Sequence, residues 1–472
     1  MHELARLTAA AMLDGFRQRT FTPVDVLDDV IAAFATTQAR CNVIVTDCFA
    51  AARVQALAAT RAWQDDSPTG ALCGVPVTIK DLIYMEGVRA MAGMPVMRDF
   101  VAPVDGAPVS RLRSAGAILT CKTTTCESGY KLTADSPVSG ITRNPWNLSR
   151  TSGGSSGGAA AAVAAGCGPL ALGTDAVGSI RIPASFCGVV GIKGTFGLVP
   201  RAPGFSPPGW GSLAHTGPIG RSVDDVALML SVIAGYDARD GASLPVGATD
   251  YLDGIERGVK GLRIAFSPDF GYAAVDPAVA AAIERAAAVF ERLGAQVVPS
   301  TVALASGTLE KILKPIGFTE QATSVAGRTE AELALSEPEF RATVVQGKSY
   351  SGVDYMRATH LRAALREVFR KQFESVDLII SPTVAVTAFA AGTLGVDSVA
   401  GVTVDRHVGW SPFSYPLNLA GLPAASVPCG FDTEGLPIGL QIIGPWLGEK
   451  VILRAARAFE EAQPWAQTWP AI

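Results

Sequence analysis

The chain has 472 residues, 49% hydrophobic and 17% charged, and its 39 Lys and Arg against 43 Asp and Glu leave a net charge of −4. This length and apolar share allow a large core, and the absence of a basic stripe argues against nucleic acid as a partner. No run reaches the roughly 18 uncharged apolar residues of a membrane helix, and the eight scattered Cys and four His offer no metal-ligand spacing. With no signal-peptide pattern in MHELARLTAAAMLDGFRQRT, the expectation is a cytoplasmic protein with reduced thiols, no metal and no membrane partner.

Thr22-Pro23-Val24-Asp25 reads as a helix start, with a hydroxyl cap, a first-turn proline and an acid three residues on. Gly74 to Ile79 reads as a buried strand running into Lys80-Asp81, and Ala117 to Thr120 as a second running into Cys121-Lys122-Thr123. A helix is expected over about 108–114. Asp135 to Arg150 is polar, contains Pro and Gly, and is expected to be mostly loop. Then come the glycine–serine cluster Gly153 to Gly158, an alanine-rich helix, the strand Leu170 to Leu172, and a second glycine–serine turn, Gly173 to Ser179. Val189 to Val199 is expected to continue the sheet, and Asp224 to Ala234 to be helical. Gly261 to Phe266 and Ala295 to Val298 read as strands flanking a helix that Asp276-Pro277 caps and Gly294 stops. The stretch 300–351 reads as a peripheral helical region, a candidate lid. Asp354 to Phe373 reads as a helix with Arg357, Arg362, Arg366, Arg370 and Lys371 on its solvated side. Leu378 to Pro382, Ala424 to Val427 and Gly439 to Ile443 close the strands, and Leu447 to Glu461 the helices. Strands alternating with helices throughout, without a compositional break, predict one α/β domain: a mixed, twisted sheet covered by helices on both faces.

Two serines, Ser155 and Ser179, sit on glycine-rich turns 24 positions apart. A flexible linker does not fit the first turn, which stands between a compact loop and a helix. Gly153 to Gly157 matches the Gly-x-Ser-x-Gly elbow, but that motif needs a strand directly before it and a histidine partner. NPWNLSRTS does not read as a strand, and His215, His360 and His407 stand in no triad context, so each reads as structural or superficial. Ser128 to Lys131 matches Ser-x-x-Lys without the partner motifs of that system. Lys80 differs from an ordinary solvated lysine because it ends the apolar strand VPVTI. Burial disfavours the charged amine, and a neutral lysine is a general base near pH 7.

These passages together resemble the amidase signature family. The resemblance is carried by GVPVTIKD (Gly74 to Asp81), KTTTCE (Lys122 to Glu127), TRNPWN (Thr142 to Asn147), GGSSGG (Gly153 to Gly158), Gly173 to Pro200, GPIGRSVDD (Gly217 to Asp225) and NLAGLPAASVPCG (Asn418 to Gly430), in the family's order. The core of the resemblance covers about 65–235. It implies the family's fold and a Ser–cis-Ser–Lys triad, with Ser179 as nucleophile, Ser155 as bridging serine after a cis Gly154-Ser155 bond, and Lys80 as base. It implies an oxyanion hole from the N–H groups of Ala176, Val177, Gly178 and Ser179, no cofactor, and a substrate site at Ser128 and Gly129 with Tyr130 beside them. Thr151 and Ser152 are expected to hold the first turn, and Asp175 and Arg181 to pair beneath the second in a structural role. Two departures stand out. Val177 replaces a glycine where valine tolerates positive φ poorly, and Ser128-Gly129 replaces the usual Phe-Ala.

The family includes the glutaminase component of tRNA-dependent amidotransferases, which works with partner subunits. Where that component carries an Arg and an Asp for glutamine, this chain has Ala342 to Gly347 and Ser411. The sequence therefore favours a stand-alone amidase acting on a small uncharged amide. The alternative is the amidotransferase component, and the reading from another class is an inactive binding protein. Trp410, Phe413 and Tyr415 are expected to form either an apolar pocket wall suited to an aryl acyl group or a purely aromatic piece of core. A homodimer is left open.

Overall fold

The computed structural model describes residues 2–205 and 212–472. Its centre is an 11-stranded mixed sheet. The strands of this sheet, in chain order, are β1 (Ile44–Asp47), β2 (Pro76–Lys80), β3 (Ile118–Thr123), β4 (Leu170–Asp175), β5 (Val190–Lys193), β6 (His215–Gly220), β7 (Arg263–Phe266), β8 (Gln296–Pro299), β9 (Leu378–Pro382), β10 (Ala424–Phe431) and β11 (Pro437–Ile443). Their spatial order is β1-β3-β2-β4-β6-β5-β10-β11-β9-β7-β8. β2 lies parallel to β3 and β4, and β7 parallel to β8 and β9. Antiparallel pairs from β4 through β6, β5, β10 and β11 to β9 join these two parts.

The period-two alternation of strand side chains decides what each layer receives. In β4, Leu170 and Leu172 enter one core and Ala171 the other; in β9, Leu378 and Ile380 enter the first and Ile379 the opposite face. The first core also holds side chains of the helices Ala107–Ser114, Val223–Ile233, Pro277–Arg292 and Glu449–Ala462. The other face is covered by Pro23–Cys41, Gly157–Ala164, Arg181–Cys187, Gly352–Gln372 and Tyr415–Ala420. Both faces of the sheet are covered, as the alternation of elements predicts. Each buried Leu, Ile or Val contributes about 1.5–3 kcal/mol relative to exposure.

The helix starts follow their caps. Thr22 and Asp25 form a reciprocal capping box, and Asp276 accepts the Ala278 N–H at 2.8 Å ahead of the helix from Pro277. The helix Gly157–Ala164 is buried at every position. Only small residues fit there: a Cβ on Gly157 falls 2.4 Å from Ser152 Oγ and one on Gly158 falls 2.3 Å from Thr124 Oγ1.

Two expectations change, and one strand is unforeseen. Residues 135–150 are not mainly loop: Asp135–Ser136 pairs with Gly140–Ile141, and Arg143–Asn144 with Asn147–Thr151. The second hairpin closes because Asn144 Oδ1 accepts the Trp146 N–H at 3.0 Å, so a strand does precede the first glycine–serine turn. β6 escapes a sequence reading because HTGPIG is poor in β-formers. It is required nonetheless between β4 and β5, where a Cβ on Gly217 falls 2.3 Å from the Ile192 carbonyl. Arg362 is not solvated like its neighbours on the helix Gly352–Gln372; it donates to the carbonyls of Leu419 and Ser212. The region 300–351 is helical as expected, with Lys314–Ser324, Glu330–Leu333 and Pro338–Ser349 as its α-helices.

Candidate active site

The site assembles where adjacent parallel strands end. β2 delivers Lys80, and its neighbour β4 delivers Thr174 and Asp175 at the same edge, the usual place for functional groups in parallel sheet. Ser155 and Ser156 stand just before the helix Gly157–Ala164, after a cis Gly154-Ser155 peptide. Ser179 closes the turn after β4. The Ser156 N–H donates to the Ser179 carbonyl at 3.1 Å, tying the two turns together. Thr151 and Ser152 hold the first turn as expected: Gly153 N–H donates to Thr151 Oγ1 at 3.1 Å, and Ser152 Oγ to the Gly153 carbonyl at 3.1 Å.

Lys80 is completely buried. Its Nζ lies 2.7 Å from Ser155 Oγ, 2.9 Å from Ser156 Oγ and 2.9 Å from Thr174 Oγ1. Desolvation lowers its pKa to about 7, against a smaller opposing pull from Cys126 and Asp175. The hydrogen bonds then fix the Ser156 proton, and with it one of the Lys80 N–H groups. Ser156 gives its own proton to the Thr174 carbonyl at 3.0 Å, so its oxygen accepts from Lys80. A neutral amine has two N–H groups and one lone pair. With the N–H groups on Ser156 and Thr174, the lone pair faces the Ser155 hydroxyl. Ser156 and Thr174 went unmarked in the sequence, although Ser156 adjoins Ser155 in GGSSGG.

Ser179 Oγ is buried with no hydrogen-bond partner among the described residues. Ser155 and Ser179 line the same cavity, of about 390 Å³. Beneath the second turn, Arg181 clamps Asp175 through Nε and Nη2, both at 3.0 Å, and reaches Gln441 at 2.8 Å and Asn418 at 2.6 Å. Burial by itself raises the Asp175 pKa, but the guanidinium beside it overrides this and holds the carboxyl well below the usual range. The pair is fully buried and structural, as expected.

The backbone of this turn differs from expectation at one place. Gly178 N–H donates to Asp175 Oδ1 at 2.8 Å, so it points down into the clamp. The N–H groups of Ala176, Val177 and Ser179 have no acceptor among the described residues. The positive φ falls on Gly178, at +131°, and not on Val177. Valine is tolerated for that reason, and its carbonyl is held by Ser414 Oγ at 2.7 Å.

The pocket expectations divide. Ser128 and Gly129 do line the cavity, and a Cβ on Gly129 falls 3.3 Å from Ser155 Oγ. Tyr130 does not: its hydroxyl donates to Glu337 at 2.7 Å and its ring lies against Phe340. Trp410 does not line it either. The indole is fully buried, stacked on Phe186 and edge-on to Phe389, with its N–H on the Arg406 carbonyl. Phe413 and Tyr415 are buried in that same core. The apolar lining comes instead from Leu82, Ile83, Tyr84, Met94, Met97 and Phe205. The helical region past residue 300 supplies a polar side through Glu320, Gln321, Ser324 and Arg328. Among the described residues no histidine lines the cavity; His215 donates inward to the Leu213 carbonyl and His407 contacts the Tyr130 carbonyl at 2.9 Å.

Comparison with known proteins agrees with this geometry. A family model described as Amidase matches residues 25–453. The chain is 36% identical to an acylamidase of Rhodococcus erythropolis, over 98% of this chain and 97% of that one. It is 37% identical to a component of the glutamyl-tRNA(Gln) amidotransferase of Thermosynechococcus vestitus, over 85% of this chain and 87% of that one. The crystal structure of a bacterial aryl acylamidase of the amidase signature family superposes with a TM-score of 0.91 at 30% identity, over 98% of this chain and 97% of that one. A match spanning nearly the whole chain in sequence and in fold means that this protein belongs to the amidase signature family and is an amidohydrolase.

Proposed function

We propose that the chain is a stand-alone amidase that hydrolyses the C–N bond of a small carboxamide through an acyl-enzyme on Ser179. The observation that carries this is the 2.7 Å contact between a buried Lys80 amine and Ser155, in one cavity with the unpartnered Ser179 hydroxyl. A serine hydroxyl is a weak nucleophile until a base takes its proton. Neutral Lys80 takes the Ser155 proton, and Ser155 takes that of Ser179. Ser179 Oγ then bonds to the amide carbon, and the carbonyl electron pair moves to oxygen. The N–H groups of Ala176, Val177 and Ser179 are free to receive that oxyanion. As the C–N bond breaks, the leaving amine takes a proton from Ser155, which Lys80 replenishes. Water then attacks the Ser179 ester carbon and gives a proton to Ser155 and Lys80; the bond to Ser179 Oγ breaks, Ser179 Oγ takes the proton back along the same relay, and the acid departs.

The amidotransferase component is the second reading, since that relative is as similar in sequence as the acylamidase. The cavity speaks against it. Neither Ala342 nor Ser411 lines the cavity, and Ser411 is buried on the Val408 carbonyl. A free amino acid would find no counter-charge at those two positions, although Arg201 and Glu320 line the cavity elsewhere. The test is intact-mass spectrometry after incubation with an amide panel and with phenylmethylsulfonyl fluoride, for wild type, Ser179→Ala and Lys80→Ala. An adduct that maps to Ser179 and is lost in both variants supports the acyl-enzyme. Hydrolysis that appears only with added partner subunits would transfer the chain to the second reading.

A further inference from the structure

Two opposite charges line the cavity without pairing. Arg201 and Glu320 both border the space reached by Ser155 and Ser179. Burial lowers the Arg201 pKa and raises that of Glu320, and each group's field works against the other's shift. Yet no ion pair joins them among the described residues. Each is restrained by its own surroundings. Glu320 Oε1 accepts the Ser212 N–H at 3.2 Å and the Ser212 hydroxyl at 2.9 Å, and Arg362 donates to the Ser212 carbonyl at 2.8 Å. The Arg201 backbone is fixed by its N–H on Asp240 Oδ2 at 2.6 Å. Glu320 Oε2 and the Arg201 guanidinium have no hydrogen-bond partner among the described residues. The other arginine of the lining, Arg328, already meets Glu332 at 3.1 Å.

A donor and an acceptor that line one cavity without an ion pair between them suit a group that satisfies both. A site that hydrogen-bonds a substrate group discriminates against an analogue lacking it. A carboxylate gains from Arg201 and is repelled by Glu320; an ammonium meets the reverse. A neutral amide gains from both. We propose that Arg201 and Glu320 form a specificity subsite for a second, uncleaved carboxamide on the substrate. Its carbonyl accepts from the Arg201 guanidinium and its N–H donates to Glu320 Oε2. This inference rests on the hydrolytic reading above and names its substrate class: linear compounds with two neutral amide groups.

The experiment compares kcat/KM for the diamides from malonamide to adipamide with monoamides of equal chain length. Wild type is expected to favour at least one diamide by about tenfold or more, the worth of hydrogen bonds to charged groups. Arg201→Met lowers that preference about tenfold, mainly through KM. Arg201→Lys, which keeps a charge at the position, lowers it by a smaller factor. Glu320→Gln has one acceptor oxygen for the two roles of the carboxylate, toward Ser212 and toward the ligand, so it lowers the preference, and Glu320→Leu abolishes it. Equal turnover of the two series by wild type overturns the inference, as does a preference that survives Arg201→Met. Labelling of Ser179 by a fluorophosphonate separates the levels. A labelled wild type that hydrolyses amides without preference loses only the subsite. An unlabelled, inactive wild type loses the hydrolytic mechanism and the subsite with it.

Discussion

Ser156→Ala tests the proton assignment at Lys80 most directly. The hydroxyl removed accepts one of the two Lys80 N–H groups at 2.9 Å and does not contact the scissile bond. Its loss frees the amine to rotate, so the lone pair no longer points steadily at Ser155. A misplacement of this kind costs about a hundredfold in kcat/KM. The pH profile moves as well. Lys80 has a pKa of about 7 and acts unprotonated, so kcat/KM rises through an acid limb near pH 7. An acceptor stabilises the ammonium more than the neutral amine. Removing it therefore lowers the Lys80 pKa further and moves the limb to lower pH. A charge-assisted hydrogen bond is worth about 1.5–3 kcal/mol, partly present in the neutral form too, so the shift is about one pH unit. The assay is kcat/KM across pH 5 to about 9 on one amide, with thermal unfolding as the control for the lost contacts to Thr174. A limb that moves upward, or a loss of activity below about threefold, would refute the assignment of Ser156 as an acceptor.

Three further outcomes are expected. Arg181→Met leaves the buried Asp175 carboxylate without its guanidinium and destabilises the fold by about 3–5 kcal/mol, read as a shift in the guanidinium chloride midpoint; an unchanged midpoint would mean the clamp is energetically idle. Gly154→Ala brings a Cβ to 2.2 Å from the Thr133 carbonyl, a backbone atom that cannot swing away. It is expected to cost about 1–3 kcal/mol of stability and to displace Ser155, with activity falling well beyond the loss in folded fraction. Glu337→Ala removes the acceptor of Tyr130 and one of two carboxylates on Lys131, both at 2.7 Å. Since Tyr130, itself outside the cavity, directly follows the lining residues Ser128 and Gly129, the expected signs are a raised KM and faster proteolysis within 314–349. Proteolysis at the wild-type rate would argue that this contact does not hold the helical region in place.

Much of this protein was legible from its chain alone. Short apolar runs such as VPVTI and LII, capped helices such as those from Pro23 and Pro277, and two glycine–serine turns are local patterns, and local physics suffices to read them. Lys80 and the serines at 155 and 179 stood out on an apolar strand end and two glycine-rich turns, and the resemblance to the amidase signature family gave them their roles. Other features required the assembled fold. β6 is built from residues with little strand preference, and it forms because small side chains let it lie between β4 and β5. Trp410 reads as pocket lining but is core, because burial depends on which face of the turn its neighbours Phe186 and Phe389 occupy. Gly178 reads as one of four equivalent backbone donors, yet its N–H is taken by Asp175, an arrangement visible only once Arg181 has fixed that carboxylate. Ser156, Thr174, Arg201 and Glu320 come to the site from segments far apart in the chain. Sequence determines which side chains are present and their local conformation. Which of them share one cavity, and in what protonation state, is decided by tertiary packing, because desolvation and hydrogen bonding depend on neighbours that chain order does not specify.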